Sequence, residues 1–444
     1  MQNEKRTRCS DCDPPILKMI LTYKYRLAPL REQLTTMHTQ VNGYRFAYNK
    51  ILEQKNTLKS LGVNAGKFHM RRRLVYDIKE RYPFLKGLNA RALEQVNAQL
   101  HDSIYALSQA KKKGLKVGHI HFKSRKDPFS VTFNQSGYKL DFENNTVTLS
   151  KIGAIPCIFH RPLPENAHVK EVELVKTNTE KWYLHVVFQV PDNTFILKNK
   201  DRAVGIDVGN INIVSDSSGY ELPAPKFYDT FSKRLKRLDR KISKAKLGSN
   251  NRRKLMAKKR LLWERITNSR SDDWNKVTKY YIDNFDIIGL EDLNIAKMAE
   301  NIKERAKKKG QKYSPKNLIE SSFGLMRGQF TYKADMYGRK VVFVNPKNTT
   351  QICAKCGAYV YKPVYVRTHS CPKCGLVCSR DYNAAINILK LALIDLGVND
   401  YLKSHRVFDS HKVIKTGGES EFVCRTNETH NELLKTVRNG IGKR

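Results

Sequence analysis

Hydrophobic and polar residues alternate with two different periods along this chain, and the switches between them divide it. From Ile16 to Leu27 (ILKMILTYKYRL) β-branched and aromatic residues alternate with polar ones, the period of a strand, and Pro29 stops the run. From Leu30 to about Leu107 the apolar positions move three and four apart, in LREQLTTMHTQVNGYRFAYNKILEQ and again in RALEQVNAQLHDSIYAL, which predicts helices. After the basic linker Lys111–Gly118 the period returns to two in Ser130–Phe133, Tyr138–Phe142, Thr146–Leu149, Val169–Lys176 and Trp182–Val190, with turns at Asn144-Asn145 and Thr177-Asn178. The expectation is a small β-barrel whose first strand is separated from the others by an inserted helical block.

From Arg202 the texture is that of an α/β unit. RAVGIDVG predicts an apolar strand carrying Asp207 between Gly205 and Gly209, small neighbours that let a backbone or a phosphate approach the carboxylate, and a second strand ends in a Ser-Ser-Gly turn. Phe227–Phe285 is long, helical and basic; Phe231, Leu235, Leu238 and Ile242 form one stripe, Leu255, Leu262 and Ile266 another, and Gly248–Asn251 break the helix between them. Asp286–Leu293 (DIIGLEDL) and Lys340–Asn345 (KVVFVN) predict two further strands, and Asp381 opens an amphipathic helix.

Charge then narrows the partners. Lysine and arginine total 82 against 42 for aspartate and glutamate, a formal charge of +40 spread over most of the chain, which opposes compaction and attracts a polyanion; a long nucleic acid is the expected partner. Candidate phosphate contacts are Arg71, Arg72 and Arg73, with Lys79 and Arg81 nearby, and on the basic helices Arg234, Arg237, Arg252, Arg253, Lys259, Arg260 and Arg270. No apolar run reaches membrane-spanning length and the start MQNEKRTRCSDCD lacks the apolar core of a signal peptide, so a soluble protein of a reducing compartment is expected, its nine cysteines ligands or free thiols.

Two Cys-x-x-Cys-Gly pairs, Cys353/Cys356 and Cys371/Cys374, flank a segment long enough for a hairpin and supply the four thiolates that one structural zinc prefers; Cys9-x-x-Cys12 has no second pair nearby. An acid at a helix start, like Asp381, is ordinarily a cap or a dipole partner, and a lone Asp on a strand is ordinarily structural. Together with Glu291 at the end of a later strand, though, Asp207 and Asp381 offer three carboxylates suited to a pair of Mg²⁺ or Mn²⁺ ions and hence to phosphodiester hydrolysis.

GIDVG at 205–209, IIGLEDL at 287–293, TTQICAKCG at 349–357, and CPKCG followed by SRDYNAAINI from 371 to 388 resemble TnpB, the transposon-encoded nuclease family with a RuvC-type, RNase H-like domain. YKYRL at 23–27, RFAYN at 45–49, the N-x-R-x-D of Asn268, Arg270 and Asp272, and YKADMYGRKVV at 332–342 extend the resemblance over about residues 18–395. It implies a multidomain α+β protein: an RNase H-like (RuvC) nuclease domain over 201–349 and 377–395, a zinc ribbon inserted at 350–376, and an N-terminal β-barrel (wedge) over 18–29 and 118–200. That barrel would carry a helical recognition domain over 30–117, with an extension at 1–17 and a flexible tail at 396–444.

The resemblance further implies an RNA-guided DNA endonuclease related to compact type V CRISPR effectors, with Asp207, Glu291 and Asp381 holding two catalytic Mg²⁺ or Mn²⁺ ions and one structural Zn²⁺ in the ribbon. Its guide RNA would come from the transposon end and its target would be double-stranded DNA beside a short recognition motif; it would act as a monomer with one RNA, in the cytoplasm and on the nucleoid when DNA-bound. The chain departs from the family at Ser379, where an Asp is common, and at Asn275, where a His is common. Two other classes stand beside this one. A guided DNA-binding repressor would not need the complete acidic set, and strand-transfer transposases order their acids Asp, Asp, Glu, against Asp, Glu, Asp here.

Overall fold

Strict alternation makes strands of the segments that flank the helical block. The computed structural model describes residues 18–398 except Lys126, Gln135, Asn210, residues 225–226 and 309–321, and Val364; Cys9, Cys12, the extension and the tail beyond Val398 lie outside the described residues. The chain forms two compact units, one up to Thr194 and one from Phe195.

In the first unit, β1 (Lys18–Leu27) leads into α1 (Arg31–Ser60), α2 (Lys67–Arg73), a π-helical turn (Leu74–Ile78), α3 (Lys79–Arg81) and α4 (Ala90–Lys112), and only then into β2 (Phe129–Asn134), β3 (Tyr138–Asp141), β4 (Thr146–Leu149), β5 (Gly153–Ile158), β6 (His168–Lys176) and β7 (Trp182–Pro191). The strands form one sheet in the order β2-β6-β7-β1-β5-β4-β3, so β1 sits in the middle, antiparallel to β7 from Lys18↔Pro191 to Arg26↔Tyr183. The sheet nearly closes: its end strands, β2 and β3, are joined by a tight turn in which Gly137 N–H donates to the Asn134 carbonyl. Every second residue of β7, from Trp182 to Val190, is buried. The helices bury Met37, Val41, Tyr44 and Ile51 of α1 and Leu93, Val96 and Leu100 of α4, the spacing the sequence carries. Strand β5 was not among the expected strands; Ile155 and Cys157 alternate inward on either side of Pro156.

The second unit contains β8 (Ala203–Asp207), β9 (Asn212–Asp216), β10 (Glu221–Pro223), α5 (Phe227–Lys244), α6 (Asn250–Asn284), β11 (Ile287–Glu291), α7 (Ile295–Lys308), α8 (Phe323–Tyr337), β12 (Lys340–Val344), β13 (Thr368–Ser370), β14 (Val377–Ser379) and α9 (Arg380–Asp395). Its five-stranded sheet runs β10-β9-β8-β11-β12, with β11 parallel to both β8 and β12. Period-two alternation sorts these strands into two faces. Val204, Ile206, Ile288 and Leu290 join Trp274 and Tyr281 of α6 and Phe330 of α8 in one core. Gly205, Asp207, Gly289 and Glu291 share the other face by alternation, and there Val344 meets Ile388 and Ala392 of α9.

Helix α9 lies so close over that face that a Cβ on Gly205 would stand 2.1 Å from the Ala385 carbonyl oxygen and 2.5 Å from Leu389 N. Both glycines are thus the condition for helix and sheet to meet. Helices α5 and α6 pair through Leu235, Leu262, Ile266, Phe231 and Leu238, with the break at Gly248 (φ +79°) and Ser249 capping α6 through Arg252 N–H. Helices α7 and α8, and the short edge strand β10, were not read from the sequence.

Candidate active site and metal centre

Three elements from distant parts of the chain converge at the carboxyl end of the parallel strands, which in open α/β sheets is where ligands bind. Ile206 pairs in register with Leu290, so the next residues, Asp207 and Glu291, end neighbouring strands on the face that α9 covers. Asp381 stands in the first turn of α9. Burial pushes the Asp207 carboxyl well above the usual range, and the Glu291 and Asp381 carboxylates raise it further, against the lowering effect of Arg380. Burial also raises Glu291, against one hydrogen bond from the Thr349 hydroxyl (2.7 Å) that holds the carboxylate oriented.

Asp381 is held differently. Arg380 donates to its Oδ1 from Nε (3.1 Å) and Nη2 (3.0 Å), and Arg367 reaches its Oδ2 at 3.4 Å. The cluster therefore concentrates negative charge at one sheet end, with the Arg380 and Arg367 guanidiniums beside Asp381. The donors are all hard oxygens, the kind Mg²⁺ and Mn²⁺ take.

The cysteine pairs build two matching knuckles. Gly357 N–H donates to the Cys353 carbonyl (2.9 Å) and Gly375 N–H to the Cys371 carbonyl (3.0 Å), with both glycines at positive φ, +73° and +69°. Cys353 N–H closes one knuckle on Ala358 and Cys371 N–H the other on Leu376, each at 2.8 Å. Across the knuckles Cys353 and Cys374 sulfurs are 3.6 Å apart, as are those of Cys356 and Cys371. Sulfurs about 2.3 Å from a tetrahedral zinc stand about 3.8 Å from each other, so the set fits a structural Zn²⁺ with no ligand position left open. Cys378 is not part of it; it is buried with Ala354, Tyr382 and Ile386, which raises its thiol to about 11.

Residues that the sequence reading did not single out tie this centre to the carboxylates. Asn383 and Asn387, one turn apart on the buried face of α9, bond the backbone at the base of the ribbon: Asn383 Oδ1 accepts from Ala354 N–H (2.9 Å), and Asn387 Nδ2 donates to the carbonyls of Thr349 (2.8 Å) and Ile352 (2.7 Å). Two asparagines four apart inside the otherwise apolar run DYNAAINI were the signal for this, since buried amides need partners. The ribbon is thereby fixed to the helix that bears Asp381.

The candidate phosphate contacts divide. Arg72, Arg234, Arg237 and Arg253 are exposed, while Arg71, Arg73 and Lys259 are spanned by ion pairs to Glu94, Asp77 and Asp239. Arg260 is half-buried. Arg270 is buried at 8% exposure, and half-buried Arg252 turns back to the Ile242 and Ala245 carbonyls at the end of α5. A basic residue on an amphipathic helix does not announce which turn faces inward.

Family models match residues 19–58 (helix-turn-helix domain), 185–302 (probable transposase) and 323–388 (Cas12f1-like, TNB domain). The first of these segments folds here as strand β1 followed by the single long helix α1. A protein of Streptomyces pristinaespiralis with the provisional name RNA-guided DNA endonuclease is 26% identical over 86% of this chain and 92% of its own. InsQ of Escherichia coli (strain K12), provisionally named in the same way, is 26% identical over 88% and 96%. TnpB-like protein L770 of Acanthamoeba polyphaga mimivirus is 24% identical over 84% and 74%. A solved mini-RNA-guided endonuclease, CRISPR-Cas_phi3, overlies 86% of the chain and 94% of its own at 10% identity and a TM-score of 0.45, a loose superposition.

Proposed function

We propose, from the premise that this chain belongs to the TnpB family, that it is a transposon-encoded, RNA-guided DNA endonuclease whose cutting site is formed by Asp207, Glu291 and Asp381. The observation that supports the reading is that the Glu291 and Asp381 carboxylates, from a strand end and a helix start, both add to the raised pKa of Asp207. Like charges raise each other's proton affinity and cost folding free energy, an arrangement that a bound cation reverses. Bound Mg²⁺ or Mn²⁺ ions would supply an activated water and neutralise the charge that develops on the leaving 3′ oxygen.

The chain's own groups do the positioning. Thr349 keeps Glu291 in one orientation, and Arg380 holds Asp381 through two hydrogen bonds to its Oδ1. Arg367, half exposed at the carboxylates, is a donor suited to a phosphate of the strand being cut. The cysteine ribbon, with Zn²⁺ as its structural ion, would hold Arg367 in place and help feed a single strand to the acids. The sheet and helices of the first unit would grip the guide RNA and the target duplex beside its recognition motif, and the exposed basic faces of α5 and α6 the guide–target heteroduplex. One protein would act with one RNA.

The test uses protein purified with its copurifying RNA, that RNA being sequenced to define a matching DNA. With Mg²⁺ the wild type should cut this DNA, and Asp207→Ala, Glu291→Ala and Asp381→Ala should each abolish cutting while RNA-guided binding persists. Cutting retained in all three variants refutes the site; guided binding by a wild type that never cuts would instead favour a repressor.

A further inference from the structure

The first unit holds a cavity that the carboxylate site does not use. It has a volume of about 540 Å³, within the range of roughly 300–1,000 Å³ typical of small-molecule sites, and it opens between the end of α1, the Gly62–Ala65 turn, α4 and the segment at 119–120. Leu52, Ile104 and Leu107 supply apolar wall, while Lys55, Lys59 and Asn56 line it from α1.

The cavity is built from tied parts. At the end of α1, Gly62 takes a positive φ of +79° and Val63 N–H returns to the Leu58 carbonyl at 2.8 Å, a Schellman-type turn that folds the following residues back along the helix. Lys55 Nζ donates to the Ala65 carbonyl (2.5 Å), fastening that turn to the helix. The opposite strand of chain is pinned close by, since Asn49 both accepts from Lys123 N–H (2.8 Å) and donates to the Lys123 carbonyl (2.9 Å).

The electrostatics at this wall is the telling feature. Lys55 and Lys59 stand one helical turn apart, a like-charge spacing that destabilises a helix. Burial lowers Lys55 from its ordinary range and Lys59 lowers it further. Among the described residues no carboxylate lies within ion-pair distance of either ammonium, although other lysines of the same helix block, Lys50 and Lys86, have acidic partners. The helix dipole accounts for a cation at Lys59, in the last turn, but not for the half-buried Lys55. An anion at the cavity is what would balance the pair.

An apolar slot with amides at its edge and two ammonium groups on one wall matches a particular chemistry: a flat, hydrogen-bonding heterocycle joined to a phosphate. We propose that this cavity receives one unstacked nucleotide of a nucleic-acid strand, its base against Leu52, Ile104 and Leu107, its base edge toward Asn56 and Asn64, and its phosphate at Lys55 and Lys59. The site is independent of the proposed cutting chemistry, and Asp207→Ala protein should retain it.

The experiment is photo-cross-linking of full-length Asp207→Ala protein to short RNA and DNA strands carrying a thiolated pyrimidine, with the cross-linked peptides mapped by mass spectrometry. Cross-links to residues 52–65 or 104–120 that are competed by unlabelled strand are expected; the RNA and DNA arms show which strand supplies the nucleotide. Leu107→Trp, which fills the slot, should remove these cross-links, and Lys55→Met should weaken their saturation by about tenfold, the loss of one charge-assisted contact. Thermal melts of both variants report whether the unit still folds. Cross-links confined to other regions, saturation only by a free mononucleotide, or cross-links unchanged in a folded Leu107→Trp protein would overturn the proposal.

Discussion

Replacing Gly205 with alanine adds one methyl group at a residue that holds no proposed ligand, yet the structure predicts a large effect. The new Cβ would lie 2.1 Å from the Ala385 carbonyl oxygen, 2.5 Å from Leu389 N and 2.9 Å from Leu389 Cα, all backbone of α9. A carbon and a carbonyl oxygen tolerate an approach of about 3.3 Å, so the helix or the strand must give by about 1 Å. Backbone in a packed helix cannot swing aside as a side chain can, and overpacking of this kind costs about 1–3 kcal/mol. The same displacement moves Asp381, at the start of α9, relative to Asp207, two residues along β8 from the substitution. A misplacement of about 1 Å in a reacting constellation lowers rates by about 10²-fold.

The assay is single-turnover cleavage of guide-matched DNA, with equilibrium binding and thermal melting measured on the same preparations. Gly205→Ala should cut about 10²-fold more slowly, melt earlier and still bind its guided target. Gly289→Ala is the internal comparison: its Cβ would meet the Ala392 Cβ at 2.9 Å and the Ile388 carbonyl oxygen at 3.2 Å, further along α9 and with more room to yield, so a smaller effect on both quantities is expected. Cleavage by Gly205→Ala within about twofold of wild type, with unaltered melting, would refute the claim that contact between α9 and β8 sets the carboxylate geometry.

Three other outcomes are expected. Asp207→Asn removes a carboxylate whose pKa is raised in the fold, hence one that weakens the metal-free fold increasingly as pH rises above its unfolded value of about 3.9; in chelator at neutral pH the variant should melt roughly 2–4 °C higher, the shift of about 1 kcal/mol for a unit of this size, and a lower melting point would contradict the reading. Cys356→Ser should lose bound zinc by elemental analysis and expose the ribbon to proteolysis, with the seven-stranded sheet unaffected; stoichiometric zinc in the variant would count against the four-thiolate centre. Lys362 is buried on His369, and the charges that favour its ammonium are the thiols Cys378, Cys353 and Cys371, so Lys362→Met should speed zinc loss to a chromogenic chelator by several-fold, and an unchanged rate would show that the lysine does not offset the cluster's charge.

How far the chain could be read follows from where the physics is local. The two periods of hydrophobicity were enough for β1, β7, β8, β11 and the paired helices α5 and α6, because each of these buries one face in a regular way. The two cysteine knuckles were legible because glycine and spacing determine them within five residues. Strand β5 was hidden by its proline, and α8 because its apolar residues, Phe323, Met326, Phe330 and Ala334, are interleaved with the buried polar groups Gln329 and Lys333, so no clean stripe survives. In the site, the sequence placed Asp207 on one strand and Glu291 at the end of another, but their register across the sheet and the approach of Asp381 depend on strand pairing and helix packing that no local window contains. For the same reason the sequence shows the charge of Arg252 and Arg270 but not that the first turns to the end of α5 and the second is buried.

The account's central claim is that three acids, far apart in the chain, hold two divalent cations where a DNA strand is cut. Its most direct test is a crystal of the Asp207, Glu291 and Asp381 wild-type protein grown with Mn²⁺ and measured at the manganese absorption edge. Two anomalous peaks roughly 4 Å apart, bridged or flanked by those carboxylates, are predicted. Manganese bound elsewhere, or no peak beside Asp207 at saturating Mn²⁺, would contradict the account.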